Sequence, residues 1–140
     1  MTVHRTASED ETVTAGRELG RQLRAGAVVL LAGPLGAGKT AFVRGLAAGL
    51  GCDPDEVSSP TFTIVQEYRG PVTLQHVDLY RLSPEEVDDL ALEDLLEDAV
   101  MAVEWPDRWR RAPADAVRVR LVVVGPTTRE IEINHSAIRS

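Results

Sequence analysis

The chain has 140 residues, 44% hydrophobic and 26% charged, a balance that is ordinary for a folded domain. Its 22 acidic and 15 basic residues give a net charge of −7, which disfavours unaided binding to nucleic acid, because phosphate neutralisation dominates that affinity. The single cysteine excludes an internal disulfide and a cysteine-rich metal site.

The N-terminal residues 1–11, MTVHRTASEDE, are polar and lack the apolar segment of a signal peptide. The longest apolar run, residues 27–32, is too short to cross a bilayer. We therefore expect a cytoplasmic protein with no membrane partner. Ser8 and Glu11 have the spacing of a capping box, which predicts an amphipathic helix that ends at Gly26.

The remaining elements alternate between strands and helices. The aliphatic run AVVLLAG predicts a strand buried on both faces, and a helix follows that stops at Gly51. Further strands are predicted over 62–68, 72–78 and 99–105, a helix over 83–98, a helical turn over 106–111, and a strand pair over 116–125 and 129–133. This order predicts an α/β fold with a mostly parallel sheet flanked by helices, an antiparallel C-terminal edge and a single domain over 1–140.

The stretch GPLGAGKT contains Lys39, the only lysine in the chain. It fits the P-loop pattern G-x-x-x-x-G-K-[ST] through Gly33, Gly38, Lys39 and Thr40, between a buried strand and a helix. The glycines let successive backbone N–H groups face phosphate oxygens. We expect Lys39 to be solvent-side and to contact the β- and γ-phosphates, and Thr40 to ligate Mg²⁺. A guanidinium is too broad for a loop wrapped around phosphates, so arginine would not replace this lysine.

Two acids end predicted strands and qualify as partners of the metal. Asp78 ends the strand VTLQHVD, and Glu104 ends AVMAVE, which is the more regular pattern of an apolar run followed by an acid. His76 alternates with Leu74 on one strand face and is interpreted as a packed histidine. The chain cannot form the Asn-Lys-x-Asp motif of Ras-like GTPases, because its only asparagine is Asn134. A compact ATPase or a small kinase remains.

Charge is concentrated in two runs. Residues 85–98 hold eight acids and no base, whereas residues 108–120 hold five arginines and one acid. Such runs are typical of solvated faces. The alternative is a pair of docking surfaces for partner proteins.

Four stretches in chain order carry a family resemblance: GPLGAGKT, SSPTFTIVQEY, HVDLYRL and VEWPDRW. Together they resemble the TsaE family, also called YjeE, of bacterial P-loop ATPases of tRNA threonylcarbamoyladenosine biosynthesis. The resemblance runs from about Ser8 to Trp109. It implies a subunit that binds ATP and Mg²⁺ and resets a TsaB–TsaD complex by nucleotide binding and hydrolysis. That complex, rather than this chain, would contact the tRNA.

The resemblance also implies roles for individual residues. Thr61 would face the γ-phosphate, Asp78 would be the Walker B-like acid, and Glu104 would lie near the metal or the attacking water. Trp105 would line the site, and the segment from Ser8 to Glu11, with Glu9, would lie near the adenine. The phosphates would be held by the loop residues Gly33, Leu35, Gly36, Ala37, Gly38, Lys39 and Thr40. The metal would contact Thr40, Glu104 and Asp78.

Two other functions are open at this point. A small-molecule kinase would need lid arginines such as Arg69, Arg81 and Arg108, and a nucleotide-sensing scaffold would bind without turnover. Efficient P-loop hydrolysis also needs an arginine near the γ-phosphate. Arg81, three residues after Asp78, is the nearest candidate, and its place at a helix start leaves its direction open. We therefore expect slow turnover by the isolated chain and faster turnover with a partner.

Overall fold

Seven strands form one sheet in the computed structural model, which describes residues 1–58 and 64–134. The strands are β1 (Thr2–Thr6), β2 (Val28–Ala32), β3 (Val65–Tyr68), β4 (Thr73–Asp78), β5 (Ala99–Glu104), β6 (Val117–Val123) and β7 (Arg129–Asn134). The helices are α1 (Glu9–Gly20), α2 (Lys39–Leu50) and α3 (Pro84–Asp89), and short 3₁₀ turns span Pro54–Glu56, Leu92–Leu95 and Pro106–Arg108.

The strand order is β1-β7-β6-β2-β5-β4-β3. The four central strands β6, β2, β5 and β4 run parallel, whereas β7, β1 and β3 pair antiparallel at the two edges. The sequence prediction of a mostly parallel sheet with an antiparallel C-terminal edge is confirmed. Within the described ranges, no helix has the length and apolarity needed to cross a bilayer.

Alternation along the central strands builds two cores, one on each face of the sheet. In β2, Val29 and Leu31 pack on the face covered by α1 and α2. Val28 and Leu30 pack on the opposite face, which is covered by α3 and by the 3₁₀ turns Leu92–Leu95 and Pro106–Arg108. All six residues of β5 are buried. The prediction that the continuous apolar runs form strands buried on both faces is therefore confirmed, as is usual for parallel sheets.

Glycines bring α1 and α2 into very close contact. A Cβ at Gly45 would lie 2.0 Å from the carbonyl oxygen of Val13, and one at Gly16 would lie 2.2 Å from that of Phe42. Gly20 and Gly49 leave similarly little room one turn further along. Neither helix could approach the other this closely with a side chain at these positions. Gly16 faces Gly45 and Gly20 faces Gly49, so the two helices run in the same direction. Both helices therefore start at the same end of the sheet.

Two features near the N-terminus differ from the prediction. Helix α1 ends at Gly20 rather than Gly26, because the backbone tightens into 3₁₀-type bonds such as Gln22 N to Leu19 O. Gly26 instead forms a turn with a φ of 95°. Residues 1–11, for which no strand was predicted, contain β1, which pairs with β7 over its whole length.

The helix predicted over residues 83–98 begins as expected and then stops early. Ser83 caps it, and a full capping box with Glu86 forms at its start. The helix ends at Asp89, and Ala91 adopts a left-handed conformation with a φ of 50° before a 3₁₀ turn begins. This break turns Leu92 into the same core as Val87, while Asp89 between them stays exposed.

Candidate nucleotide site

The loop over residues 33–38 connects β2 to α2, with Lys39 as the first helical residue. Gly36 and Gly38 have φ values of 78° and 99°. A Cβ at Gly36 would meet nothing within 4 Å, so backbone conformation rather than space requires glycine there. Gly38 is the N-cap of α2 and provides no side-chain cap. The first N–H groups of the helix therefore have no side-chain cap from Gly38, which leaves them available to a phosphate.

Lys39 lies inside the site rather than at its surface. Its side chain is buried, and the ammonium Nζ donates to the carbonyl oxygen of Gly33 at 2.8 Å. The same Nζ lies 3.7 Å from Glu104 Oε1 and 4.5 Å from the centre of the Trp105 ring. The expectation of a solvent-side lysine is wrong, because a carbonyl, a carboxylate and an aromatic face enclose the ammonium.

The two predicted acids lie side by side. Asp78 and Glu104 are register partners at the carboxyl ends of β4 and β5, next to the strand that leads into the P-loop. Glu104 is buried, and its Oε2 accepts a 2.6 Å hydrogen bond from His76 Nε2. His76 is fully buried, so the interpretation as a packed histidine is confirmed. The structure adds that this histidine holds one oxygen of Glu104 while the other faces Lys39.

Asp78 is only partly buried and contacts its own loop. Its Oδ1 accepts from the backbone N–H of Tyr80 at 3.0 Å. Burial raises the pKa of Asp78 above its ordinary value, and the negative charge of Glu104 raises it further, whereas the bond from Tyr80 opposes the rise. A nearby cation would relieve this cost of holding two carboxylates together.

Trp105 follows Glu104 with a φ of 59°, in the left-handed region that bulky residues rarely adopt. Its ring lies 5.0 Å from the ring of Tyr80, which is 45% exposed. Strained backbone of this kind is concentrated at functional sites. The strain turns the indole toward Lys39, so the aromatic pair forms one side of the opening.

The N-terminus of α1 reaches the other end of the site. Ser8 caps the helix by accepting from the backbone N–H of Glu11. The Glu11 side chain accepts from Ala7 N rather than from Ser8 N, so the predicted capping box is shifted by one residue. Glu9 pairs with Arg44 at 3.1 Å.

The β6–β7 connection also lines the site, although no sequence motif marks it. Pro126, Thr127 and Arg129 all contribute to the lining. The Arg129 guanidinium donates to the P-loop carbonyls of Ala37 and Gly36, at 3.1 and 3.2 Å. It also donates to two carbonyls of its own hairpin at 3.0 Å. This arginine therefore ties the C-terminal hairpin to the back of the P-loop.

These elements enclose a cleft of about 740 Å³. Most of the predicted site residues that the structure describes line it: Glu9, Leu35, Gly36, Gly38, Lys39, Thr40, Asp78, Glu104 and Trp105. Gly33 and Ala37 belong to the loop but not to this lining, and the Ala37 side chain is fully buried. Thr61 lies outside the described residues.

The donors at the cleft suit a hard divalent cation held mainly by a nucleotide. Thr40 provides a hydroxyl, and Asp78 and Glu104 provide carboxylates, the oxygen ligands that Mg²⁺ prefers. No cluster of three or more His, Cys, Asp or Glu side chains capable of holding a metal occurs within residues 1–58 and 64–134. The Thr40 hydroxyl and the two carboxylates are few ligands, which suits a cation that completes its shell with phosphate and water.

The sheet has a parallel centre, and its strand β2 leads through a loop to a helix that starts with a lysine. With acids at the ends of the neighbouring strands, these features define a single-domain P-loop fold. The chain belongs to the TsaE family, since the model of "Threonylcarbamoyl adenosine biosynthesis protein TsaE" matches residues 6–131.

Individual relatives agree with this assignment. A "tRNA threonylcarbamoyladenosine biosynthesis protein TsaE" from Nostoc is 41% identical over 133 residues, covering 91% of this chain and 82% of the relative. The protein of the same name from Treponema pallidum is 43% identical and covers 90% and 95%. The crystal structure of YdiB from Bacillus subtilis superimposes with a TM-score of 0.75 at 30% identity, covering 93% of this chain and 82% of that one.

Proposed function

We propose that this chain is a Mg²⁺-dependent ATPase that serves threonylcarbamoyladenosine modification of tRNA. The names of its relatives support the pathway. The single observation that carries the ATPase is the buried Lys39, whose ammonium is held at the mouth of the P-loop between Gly33 and Glu104. A lysine that served only solubility would not be buried.

Each residue would act through its position in the cleft. The backbone of residues 35–40 and the Lys39 ammonium would hold the phosphates, and the Thr40 hydroxyl would ligate the cation. Bound Mg²⁺ would neutralise phosphate charge. Glu104, fixed by His76, would orient the attacking water, with Asp78 beside it. We assign this work to one domain over residues 1–140 and place Glu9 and Trp105 against the nucleotide.

We propose that a TsaB–TsaD-type complex is the partner and that nucleotide turnover resets it. The net charge of −7 supports contact with tRNA only through that complex. We propose the cytoplasm as the location of this assembly. The two charge runs contact each other in part, since Arg110 lies 2.6 Å from Asp88 and 3.9 Å from Glu85. Acids further along, such as Glu93 and Glu97, stay exposed and are available for docking.

The kinase alternative has less support. Among its three candidate lid arginines, Arg69 pairs with Glu67 at 2.9 Å, and Arg108 donates to backbone carbonyls of the chain. Only Arg81 of the three lines the cleft. A kinase lid needs several free cations around the transferred phosphate.

Phosphate release from ATP, measured with the pure chain and then with the partner complex, tests the proposal. We expect slow release by the chain alone and an increase of several-fold or more with the complex, and this increase should weaken as salt rises. Transfer of phosphate to a small acceptor would support a kinase, and tight nucleotide binding without turnover would support a scaffold. Full-speed hydrolysis that no partner changes would contradict the proposed dependence on a complex.

A further inference from the structure

The loop that follows β4 carries an arginine with no acceptor inside the described part of the chain. The side chain of Arg81 lines the cleft, and it makes no hydrogen bond or ion pair to residues 1–58 or 64–134. Arg44 and Arg110 have carboxylate partners, whereas exposed arginines such as Arg24 have none among the described residues, and Arg81 differs from Arg24 in lining the cleft. Within residues 1–58 and 64–134, its five N–H donors therefore have no protein acceptor and are available to a ligand in the cleft.

The backbone on both sides of Arg81 is fixed by other residues. Arg108 Nη1 donates to the carbonyl oxygens of Tyr80 and Leu82, at 3.0 and 2.6 Å. Asp78 Oδ1 accepts from Tyr80 N, and Leu82 N donates to the carbonyl of Leu79. An ordinary solvated surface arginine does not need its neighbours anchored in this way. The anchoring reduces the conformational entropy that Arg81 would lose on binding a ligand.

The other arginine at the cleft is used differently. Arg129 spends its Nε and both Nη groups on four backbone carbonyls, so its donors are already engaged. Lys39 shares its charge with Glu104. Of the three cations that line the cleft in the described part of the chain, Arg81 is therefore the one with no protein partner there.

The strand order indicates which phosphate Arg81 faces. From β2, the sheet continues through β5 to β4 on one side and through β6 to β7 on the other. Lys39 Nζ contacts Glu104 and Trp105, so the terminal phosphates lie toward β5 and β4. Arg81 follows β4 and is at that end, whereas Pro126 and Thr127 are at the opposite end.

We propose that Arg81 is a catalytic residue that binds the γ-phosphate and stabilises charge on it, and that Arg108 is a positioning residue that anchors the Arg81 loop. This inference rests on the proposed ATPase function and extends it. An arginine supplied within the chain can provide charge stabilisation that other P-loop enzymes receive from a partner. The exposure of Arg81 leaves room for a partner to increase its effect by excluding water.

Equilibrium binding of Mg²⁺–ADP and of a Mg²⁺–ATP analogue with nitrogen in place of the β–γ bridging oxygen tests the assignment without turnover. We expect Arg81→Ala to weaken binding of the analogue about tenfold and binding of ADP by less than about twofold. Arg81→Lys should recover part of the loss. Arg108→Gln should lower the preference for the analogue over ADP by about threefold, because the loop loses its anchor while Arg81 itself is retained. Arg69→Ala, which removes an exposed arginine paired with Glu67, is the matched control and should change neither affinity.

The outcomes separate this inference from the proposed function. If the wild-type chain binds neither nucleotide, both are overturned. If the wild-type chain prefers the analogue and Arg81→Ala keeps the same preference, the Arg81 assignment alone fails. Equal loss of both nucleotides in Arg81→Ala would likewise contradict a contact with the γ-phosphate, as would equal wild-type affinities. A melting curve for each variant shows that the chain is folded.

Discussion

The two walls of the cleft are built in opposite ways. The P-loop wall, residues 33–40, presents backbone groups and is held from behind by a side chain, Arg129. The acidic wall, formed by Asp78, Glu104 and the loop over 79–82, presents side chains and is held by Arg108 bonds to backbone carbonyls and by His76.

This difference suits the different tasks of the two walls. Phosphate binding by a loop requires many N–H groups at fixed places, which glycine-rich backbone supplies. Hydrolysis requires a few charged groups whose positions change the barrier, which side chains supply. We therefore expect changes at the P-loop wall to alter nucleotide affinity and changes at the acidic wall to alter turnover, with Lys39 affecting both because it contacts Glu104 across the cleft.

Lys39→Ala should have the largest effect and abolish measurable ATP turnover. Lys39→Arg should be nearly as inactive, because the ammonium is enclosed by Gly33, Glu104 and Trp105 and a guanidinium does not fit there. Phosphate release and a melting curve measure both variants. Loss of a buried cation beside Glu104 should cost about 1–3 kcal/mol of stability, so the fold survives. An active Arg variant would contradict the steric argument, and Arg24→Ala, an exposed site, is the control.

Glu104→Gln should reduce turnover at saturating ATP by about 10²- to 10³-fold while nucleotide affinity changes little. The amide oxygen can still accept from His76, so the local packing is preserved. Steady-state kinetics with separate kcat and KM values measure the effect. Assayed in the isolated chain, Glu97→Gln removes an exposed acid away from the cleft lining and should match the wild-type chain. A Glu104→Gln variant that loses affinity but keeps its kcat would break the distinction between the two walls.

Arg129→Gln should weaken nucleotide binding about tenfold and leave kcat within about twofold, because it loosens the P-loop without touching the acidic wall. Arg129→Lys should behave similarly, since a single ammonium cannot donate to four carbonyls spread over two segments. Calorimetric titration with ADP measures the affinity. Arg120→Gln, on an exposed β6 residue that pairs with Glu132 at 3.7 Å, should have no effect. An unchanged affinity in Arg129→Gln would show that the loop keeps its shape unaided.

Asp78→Asn should have the smallest effect on the metal-free fold and should raise its melting temperature by about 1–3 °C at neutral pH. The folded-state pKa of Asp78 lies above its unfolded value, so ionised Asp78 opposes folding. The gain should be fully present above the folded-state pKa and disappear as pH falls below the unfolded value. Melting curves in a chelator from neutral to acidic pH test this, with Asp89→Asn as an exposed control. A gain that persists in acid would point to a cause other than charge.

The elements encoded by local patterns could be predicted from sequence. The β2–loop–α2 unit combines an apolar run, a glycine motif and a terminal Gly51, and the structure has these features. The prediction missed β1 because its residues are mostly exposed at a sheet edge and show no apolar alternation. The predicted helix over 83–98 was too long, because helix propensity alone does not reveal that Val87 and Leu92 pack into one core.

The parts of the site that depend on distant contacts could not be predicted. Arg129 bonds to Ala37 across 92 positions, and no local pattern marks either residue. His76 was interpreted correctly as packed, but its bond to Glu104 depends on the parallel pairing of β4 and β5. The burial of Lys39 was missed for the same reason, because Glu104 and Trp105 come from another strand.

The backbone-to-backbone packing of α1 and α2 fixes the position of one helix relative to the other. Helix α1 begins beside Ser8 and Glu9 at one end of the cleft, and α2 begins at Lys39. A single methyl group at Gly45, buried between the helices and outside the cleft lining, would collide with the Val13 carbonyl and push these two starting points apart. Such a change would weaken nucleotide binding although it removes no group that touches the nucleotide. Binding therefore depends on the close packing of α1 against α2, which does not itself contact the nucleotide.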